Sequence, residues 1–235
     1  MLEFKGWKLV VIGNPGRAEA ALASLPKGAL PLRVSISAME GAEAYQLTVS
    51  DDGAVLSAGG DLGILRGLAT LKQLTADHKL PKVEIRDQPA FPVRGFMHDV
   101  GRNFQEIETV SRFVRTMADY KLNVFHWHLT DKPGYRIESR KYPVLNSEKA
   151  GVPTRSPGKF HTFEQIRGLI RGAYKLGVEV LPEIDMPGHS DYFNRAFGFG
   201  MQDPRGVKIC CELIDEFCME VIAPLRKEGI AVPRL

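Results

Sequence analysis

The sequence predicts an α/β protein with a small α+β domain over residues 1–88 and a strand–helix repeat domain over residues 89–235. Two observations lead to this prediction. Short strand-like stretches separated by turns fill the first part, whereas three apolar strands alternate with three amphipathic helices in the second. Between them lies RDQPAFPVRG, whose prolines and flanking charges interrupt both patterns. Regular alternation of strand and helix predicts right-handed βαβ units and a parallel sheet.

The first domain is predicted from short strands and one helix. The candidate strands are WKLVVIG, which is interpreted as a buried strand, LRVSIS, the two halves of AYQLTVSDDGAVLSAG, and KVEIRD. Leucines recur at helical spacing in LGILRGLATLKQLTA, which predicts the helix. GNPGR lacks the lysine and the spacing of a phosphate-binding loop, so we expect a plain strand-to-helix turn there.

The second domain is predicted from three strand–helix pairs. The strands are GFMHDV, NVFHWHL and VEVLPEID; the first two helices are TVSRFVRTMADYKL and TFEQIRGLIRGAYKLG. Thr162 and Gln165 have the spacing of a capping box at the second helix. The third helix is predicted from Pro204 to Gly229, with Asp203 as its N-cap.

The last five residues, AVPRL, predict the opening of a fourth strand. Three and a half strand–helix units are fewer than the eight that close a (β/α)8 barrel, a fold that typically takes ~250 residues by itself. We therefore expect either a small open sheet or the front part of something longer.

Composition excludes several classes of protein. Hydrophobic residues make up 44% of the chain and charged residues 25%, as is usual for a soluble globular protein. The net charge of +3 is too small and scattered to indicate nucleic-acid binding, and no stretch approaches the ~20 apolar residues of a membrane span. The first residues do not have the order of a signal peptide. Cys210, Cys211 and Cys218 are expected to be core or partly buried thiols and not a disulfide framework.

Polar side chains collect at the carboxyl ends of the three predicted parallel strands, where ligands bind in parallel α/β folds. A strand covered on both faces should be nearly all apolar, so these residues indicate a polar site. We expect nine side chains to converge on one rim: His98, Asp99, Arg102, His126, His128, Asp131, Glu183, Asp185 and His189.

Two chemistries fit these residue types. His-x-His at a strand end, with further His and Asp on other strands, is one way to build a divalent metal site. Sugars instead require acids and arginine for hydroxyl groups, aromatic rings for stacking, and carboxylates for acid catalysis. Arg102, Trp127, Asp131, Tyr135 and Arg136 match the second description. The residue types alone leave the two interpretations close.

Four motifs occur in the order found in a known family. IRDQPAFPVRGFMHDVGRNF, KLNVFHWHLTD, GYRIE and GVEVLPEIDMPGHS resemble the successive signatures of glycoside hydrolase family 20, the β-N-acetylhexosaminidases. EAYQLTVSDDGAVLSAGGDLGILRGLATLKQL resembles the small α+β domain that precedes the barrel in that family. The resemblance extends from about residue 43 to residue 193, and it implies that residues 89–235 form the first three to four βα units of a TIM (β/α)8 barrel.

The resemblance also implies an activity and residue roles. The family implies an exo-acting, retaining hydrolase that removes terminal β-linked GlcNAc or GalNAc, with the 2-acetamido oxygen of the substrate as nucleophile. By motif, Arg102 would bind hydroxyl groups of the terminal sugar, and Asp131 and His189 would orient and tune the general acid. Asp185 would support His189, while His126 and His128 would frame the pocket without binding a metal.

The sequence departs from the family pattern in two places. After HLTD the family has a second acid and a tryptophan, where this chain has Lys132, Pro133 and Tyr135. The catalytic Asp-Glu pair of the family follows the fourth strand in a His-x-Gly-x-Asp-Glu motif, which would begin near the final VPRL. Residues 1–235 are therefore expected to lack the pair and to be inactive alone.

The resemblance implies terminal N-acetylhexosamine glycans or glycoconjugates as substrates, and it implies no cofactor and no metal. A periplasmic, extracellular or lysosomal location and a homo-oligomeric state are compatible with it. Two alternatives stay open from the residues: a metal-dependent TIM-barrel hydrolase and a non-catalytic carbohydrate-binding remnant.

Overall fold

The computed structural model describes residues 1–75, 77–230 and 232, and these divide into two compact units. The first unit contains residues 1–94 with 115–123 and 175–178. The second contains the other described residues, among them every residue proposed for the polar site.

The first unit is built around a five-stranded mixed sheet. Its elements are β1 (Leu2–Glu3), β2 (Trp7–Ile12), a 3-10 turn (Gly16–Ala18), α1 (Glu19–Ala23), β3 (Leu30–Ile36), β4 (Tyr45–Ser50), β5 (Gly53–Ala58), α2 (Asp61–Leu74), β6 (Lys79–Leu80) and β7 (Val83–Asp87). The strand order is β2-β3-β5-β4-β7, with β2, β3 and β5 parallel and β4 antiparallel to both of its neighbours. β1 and β6 form a separate antiparallel pair. The predicted strands and helix are all present, and GNPGR forms the expected turn.

WKLVVIG forms a strand, as predicted, but the prediction that this strand is buried was wrong. β2 is a strand at the edge of the sheet, and Val10 and Ile12 are 43% and 61% exposed. Their side chains lie on the face opposite Trp7, which is buried in the core. An uninterrupted apolar run is typical of a strand covered on both faces, but it does not reveal whether another element of the protein covers the second face of the sheet.

The second unit contains a three-stranded parallel sheet and its crossover helices. Its elements are β8 (Gly95–Asp99), α3 (Ile107–Asp119), β9 (Val124–His128), β10 (Thr130–Asp131), β11 (Gly134–Tyr135), two 3-10 turns (Pro143–Asn146 and Glu148–Ala150), α4 (Phe163–Lys175), β12 (Glu179–Glu183), α5 (Asp191–Phe197), α6 (Pro204–Phe217), a π-helical turn (Cys218–Ile222) and α7 (Ala223–Lys227). The final residues of α3 and α4 belong to the first unit.

The strand order β12-β9-β8 confirms the predicted parallel sheet, in which each successive strand adds to the same edge. β10 and β11 form a short antiparallel hairpin directly after β9. The described residues do not close a barrel; they form consecutive βα units. The predicted fourth strand at 231–235 lies outside the described residues except for Val232, which is buried.

Local capping signals in the sequence are confirmed at two helices. At α4 the backbone N–H of Thr162 donates to Gln165 Oε1 (2.8 Å), and the N–H of Gln165 donates to Thr162 Oγ1 (3.1 Å). At α6, Asp203 accepts from the N–H of Arg205 (2.9 Å), and Pro204 occupies the first turn, where no N–H is needed.

Two helical features departed from expectation. The helix predicted from Pro204 to Gly229 contains the π-helical turn, which ends two residues before Pro224. Proline removes the donor that the Glu220 carbonyl would otherwise use, and this carbonyl accepts from Arg167 instead. α5 was not predicted, because seven residues are too few to establish a helical period.

The cysteine prediction was correct for two of three residues. Cys210 and Cys218 are half-buried, whereas Cys211 is exposed, and all three are free thiols. Separately, none of the helices in the described part of the chain combines the length and apolarity needed to cross a membrane.

Candidate active site

The sheet register places three titratable side chains in one row at the carboxyl ends of the strands. Asp99 pairs with His128 and His128 pairs with Glu183 in the parallel ladders β8–β9 and β9–β12. Residues opposite each other in parallel strands point to the same face, so these three side chains share it. His126, two residues before His128, lies on that face one row further back.

The Asp131 carboxylate is the centre of the site. Asp131 lies on β10, and only 2% of its side chain is exposed. Oδ2 accepts from Arg102 Nε (2.9 Å) and from His128 Nε2 (3.2 Å), while Oδ1 faces His189 Nδ1 at 3.3 Å and accepts from the Lys132 N–H. Burial alone would raise the pKa of Asp131, but these hydrogen bonds and the charge of Arg102 lower it below its ordinary value. Asp131 is therefore a stable carboxylate at neutral pH.

His128 links this carboxylate to a second one. Its Nε2 faces Asp131 and its Nδ1 lies 2.8 Å from Glu183 Oε2. A neutral imidazole can donate from only one nitrogen, so two carboxylate partners favour the doubly protonated ring. Burial opposes that charge, yet the hydrogen bonds to Glu183 and Asp131 outweigh it and raise the pKa of His128.

Glu183 and Asp185 behave as an unequal pair of acids. Glu183 Oε2 also lies 2.6 Å from His126 Nε2. Burial would raise the pKa of Glu183, but its hydrogen bonds, first of all from His128, lower it. The pKa of Asp185 is raised by burial and by the neighbouring Glu183 carboxylate. The two neighbouring carboxyl groups therefore differ in acidity, with the pKa of Glu183 lowered and that of Asp185 raised.

Arg102 and His189 border the site on the solvent side. Arg102 pairs with Asp131 and, through Nη1, with Asp99 Oδ2 (3.3 Å), while 58% of its side chain stays exposed. The side chain of His189 is 46% exposed, and its backbone is left-handed (φ +50°), which is uncommon for a residue other than glycine. Both side chains can reach a ligand that enters from solvent.

The support of His189 by Asp185 stays a prediction. Among the described residues, no hydrogen bond joins these two side chains. The Asp185 carboxylate lies 3.9 Å from His128 Nε2, and its backbone N–H donates to Thr130 Oγ1 (2.9 Å). Thr130 was not predicted, because an apolar-strand pattern gives a threonine no distinguishing signal.

The prediction that His98 joins the rim was wrong. Its register partner is Trp127, so its side chain lies on the opposite face from Asp99 and His128. The ring packs 4.7 Å from that of Phe113 on α3, and burial lowers the pKa of His98. Eight of the nine expected residues therefore share one site, and His98 is a half-buried residue that faces α3.

Three residues that match sugar chemistry by type are enclosed in the protein. Trp127, Tyr135 and Arg136 are 0%, 2% and 1% exposed. An aromatic ring must present a free face to stack on a sugar, so neither Trp127 nor Tyr135 does so here. Residue type alone does not reveal which strand face is covered, so the match to sugar chemistry did not show that these three side chains are buried.

The sequence contains an Asp-Glu dipeptide, Asp215-Glu216, whose glutamate makes contacts that stabilise the fold. Glu216 is buried on the apolar face of α6 and accepts from Ser139 Oγ (2.7 Å) and from the N–H groups of Arg140 (2.8 Å) and Lys141 (3.0 Å). It thereby anchors the chain that follows β11. A carboxylate on an apolar helical stripe was the signal that could have revealed it.

Among the described residues, two overlapping sets of side chains could hold a metal ion: Asp99 with His128 and Asp131, and His128 with Glu183 and Asp185. Both sets depend on His128, whose two nitrogens already face carboxylates. A metal would require this histidine to be neutral and would displace one of its hydrogen bonds.

Comparison with known proteins decides the family. Residues 91–217 match the model of the glycosyl hydrolase family 20 catalytic domain, and residues 7–88 match the model of domain 2 of that family. The chain belongs to glycosyl hydrolase family 20. The fold is that of a small α+β domain followed by part of a TIM barrel, which confirms the predicted fold class.

Several family 20 relatives are closely similar. A β-hexosaminidase from Vibrio furnissii is 41% identical over 175 residues, which cover 68% of this chain and 28% of that protein. A chitobiase structure from Flavobacterium johnsoniae is 30% identical with a TM-score of 0.78, covering 93% of this chain and 40% of that one. An exo-β-N-acetylglucosaminidase from Vibrio harveyi, solved with N-acetylglucosamine, is 26% identical with a TM-score of 0.79, covering 94% and 42%. The chain spans from 21% to 35% of the length of eight of the curated relatives that it matches.

Proposed function

We propose that this protein is an exo-β-N-acetylhexosaminidase that releases terminal β-linked GlcNAc or GalNAc by retaining, substrate-assisted hydrolysis. The observation that carries the proposal is the Asp131 carboxylate, buried among Arg102, His128 and His189 at the strand ends of a family 20 barrel segment. We further propose that the domain boundary falls after residue 88.

Arg102 is proposed to bind the sugar. Its pairing with Asp131 and Asp99 fixes the guanidinium, yet more than half of the side chain stays open to solvent. A planar guanidinium offers paired donors, which suit two neighbouring hydroxyl groups of a pyranose ring.

Asp131, His189 and Asp185 are proposed to orient and tune the general acid. Asp131 is held ionised and His189 contacts it from the solvent side, so the carboxylate can hold the imidazole ring in one orientation. Asp185 contributes a carboxyl of raised pKa within the same group of side chains.

Residues 1–235 contain no His-x-Gly-x-Asp-Glu sequence. A polypeptide limited to these residues would therefore lack the general acid and the carboxylate that orients the acetamido group. General acid assistance is typically worth 10² to 10⁴ in rate, so we expect such a polypeptide to be inactive.

The test is hydrolysis of an aryl β-GlcNAc substrate by the full-length protein and by a polypeptide whose intact mass shows that it ends at Leu235. We expect the full-length protein to release GlcNAc with retention of the β configuration, followed by NMR of the anomeric proton. Turnover by the 235-residue polypeptide would contradict the proposed absence of the acid. Inversion at the anomeric carbon would contradict substrate assistance.

The metal-dependent alternative has its own observation, the two ligand sets that share His128. Metal analysis and chelation separate it from the glycosidase proposal. We expect chelator treatment to leave turnover and melting temperature unchanged, since His128 is already bonded to two carboxylates. Stoichiometric zinc that is lost together with activity would favour the metal-dependent hydrolase. A full-length protein that binds GlcNAc without any turnover would favour the non-catalytic remnant.

A further inference from the structure

Arg136 has an unusual set of partners for a buried cation. All five of its N–H donors point to backbone carbonyl groups and none to a carboxylate. Nε and Nη2 each lie 3.3 Å from the Gly101 carbonyl, Nη2 donates to Arg155 (2.6 Å), and Nη1 donates to Ser156 (2.7 Å) and Lys159 (3.1 Å). The side chain thus joins the loop after β8 to the segment 155–159.

The charge of Arg136 is retained despite its burial. Burial lowers the pKa of Arg136 to about 10, which still leaves it protonated at neutral pH. A planar guanidinium with five donors in fixed directions can satisfy four carbonyls at once, which an ammonium group with three donors cannot do.

The carbonyl of Gly101 and the N–H of Arg102 belong to one peptide unit, and both ends of this unit are fixed. Arg136 holds the carbonyl, and the N–H donates to Asp99 Oδ1 (2.9 Å). On the inner side, a Cβ on Gly101 would come within 2.6 Å of the Asp131 backbone nitrogen. The peptide that precedes Arg102 is therefore held by its carbonyl, by its N–H and by close backbone packing.

A fixed peptide matters for Arg102 because its side chain is long and largely exposed. Such a side chain loses rotamer entropy when it adopts one conformation. Fixing the backbone removes the additional freedom of the loop, and the Nε contact to Asp131 then selects the direction of the guanidinium.

We propose that Arg136 is a positioning residue for substrate binding, which fixes the Gly101 peptide and thereby the loop that presents Arg102. The effect of Arg136 on substrate rests on the proposed function, whereas its effect on the loop does not. A purely structural role would instead distribute the effect of Arg136 over the whole second unit.

Two variants perturb these contacts independently. Arg136→Lys keeps the charge and removes the fork. Gly134→Ala keeps Arg136 but introduces a Cβ 2.5 Å from its Cζ, which displaces the guanidinium from its carbonyls. Arg140→Lys is the matched control, because Arg140 lies on the same segment and 58% of its side chain is exposed.

The first measurement is amide hydrogen exchange in the full-length protein. We expect exchange in residues 100–104 and 155–159 to accelerate about tenfold or more in Arg136→Lys and Gly134→Ala, because the carbonyl partners of the loop are lost. Exchange in α6 should stay within about twofold, and Arg140→Lys should match the wild type in all three regions. Unchanged exchange in the two segments, or an equal increase in α6, would overturn the proposal.

The second measurement is a double-mutant cycle on turnover of an aryl β-GlcNAc. We expect Arg136→Lys to raise KM about tenfold with kcat within about threefold, as for a lost binding contact. In the Arg102→Ala background the same change should have almost no further effect, because Arg136 acts through Arg102. Fully additive losses would exclude that coupling. If the wild-type protein has no turnover, the proposed function fails, and the exchange measurement still decides whether Arg136 fixes the loop.

Discussion

Each compact unit contains a carboxylate that lies between two cationic side chains. The two groups differ in how exposed these side chains are and in whether their remaining N–H donors already have partners. In the first unit, Glu43 Oε2 accepts from Arg66 Nε (2.7 Å) and Arg94 Nη2 (2.5 Å). In the second, Asp131 Oδ2 accepts from Arg102 and His128. The contacting charges are alike, so the ion pairs alone do not reveal which group binds a ligand.

The difference lies in the exposure and the remaining donors of the arginines. Arg66 is 3% exposed and donates to the Gly177 carbonyl (2.9 Å), and Arg94 donates to the carbonyls of Lys121 and Phe91 (2.8 Å each). Arg102, in contrast, is anchored at one edge and 58% exposed. We infer that Glu43 and its two arginines stabilise the fold, whereas Asp131 and its partners can bind a ligand.

Replacing the central carboxylates should separate the two groups most strongly. Asp131→Asn removes the charge that orients Arg102 and His189, and in a protein with the proposed activity we expect kcat/KM for an aryl β-GlcNAc to fall by about 10² to 10³. Glu43→Gln should leave kcat/KM within about twofold but reduce the free energy of unfolding by ~2–4 kcal/mol, since two arginines lose their counter-charge. Steady-state kinetics and denaturant unfolding measure these effects. Equal kinetic losses in both variants would remove the distinction.

Replacing the arginines should give the next largest contrast. Arg102→Ala is expected to lower kcat/KM by one to two orders of magnitude, because a charged hydrogen bond to substrate is worth about 1.5–3 kcal/mol. Arg102→Lys should recover little, since an ammonium does not reproduce the paired donors. Arg66→Ala should instead lower the melting temperature with near-normal kinetics. If Arg102→Ala loses thermal stability while its kinetics stay near wild type, Arg102 only holds the rim together.

The protonation of His128 provides a test that depends on pH. The pKa of His128 is raised, so its stabilising contribution is complete below its ordinary value of about 6.5 and is lost as the pH rises through the folded-state pKa. His161 is the internal control, because burial lowers its pKa to about 4 and keeps its ring neutral at neutral pH. NMR titration of the imidazole Cε1–H signals should show His128 losing its proton well above the pH at which His161 does. A reversed order would contradict the doubly hydrogen-bonded imidazolium.

The smallest effect is expected where both partners are exposed. Lys72 pairs with Asp119 at 2.6 Å, but their side chains are 68% and 43% exposed. Lys72→Ala should change the free energy of unfolding by less than ~1 kcal/mol in a denaturant titration and leave kcat/KM unchanged. A loss comparable to that of Glu43→Gln would show that exposure does not govern these ion pairs.

Local sequence signals determined much of the fold. Three predictions are confirmed: the capping box of Thr162 and Gln165, the Asp203 cap, and the alternation of strands with helices. Each depends on residues close together in the chain. The convergence of His128, Asp131 and Glu183 also followed from sequence, since the carboxyl ends of parallel strands meet at one edge.

Tertiary structure alone decided which polar residue faces the site. His98 and Asp99 are neighbours at a strand end, but the register turns one toward α3 and the other toward His128. Arg102 and Arg136 have the same chemistry, but one is open to solvent and the other is enclosed by carbonyls from two loops. Periodicity in a sequence states which residues share a face, whereas whether that face is covered depends on segments distant in the chain, whose contacts no local pattern encodes.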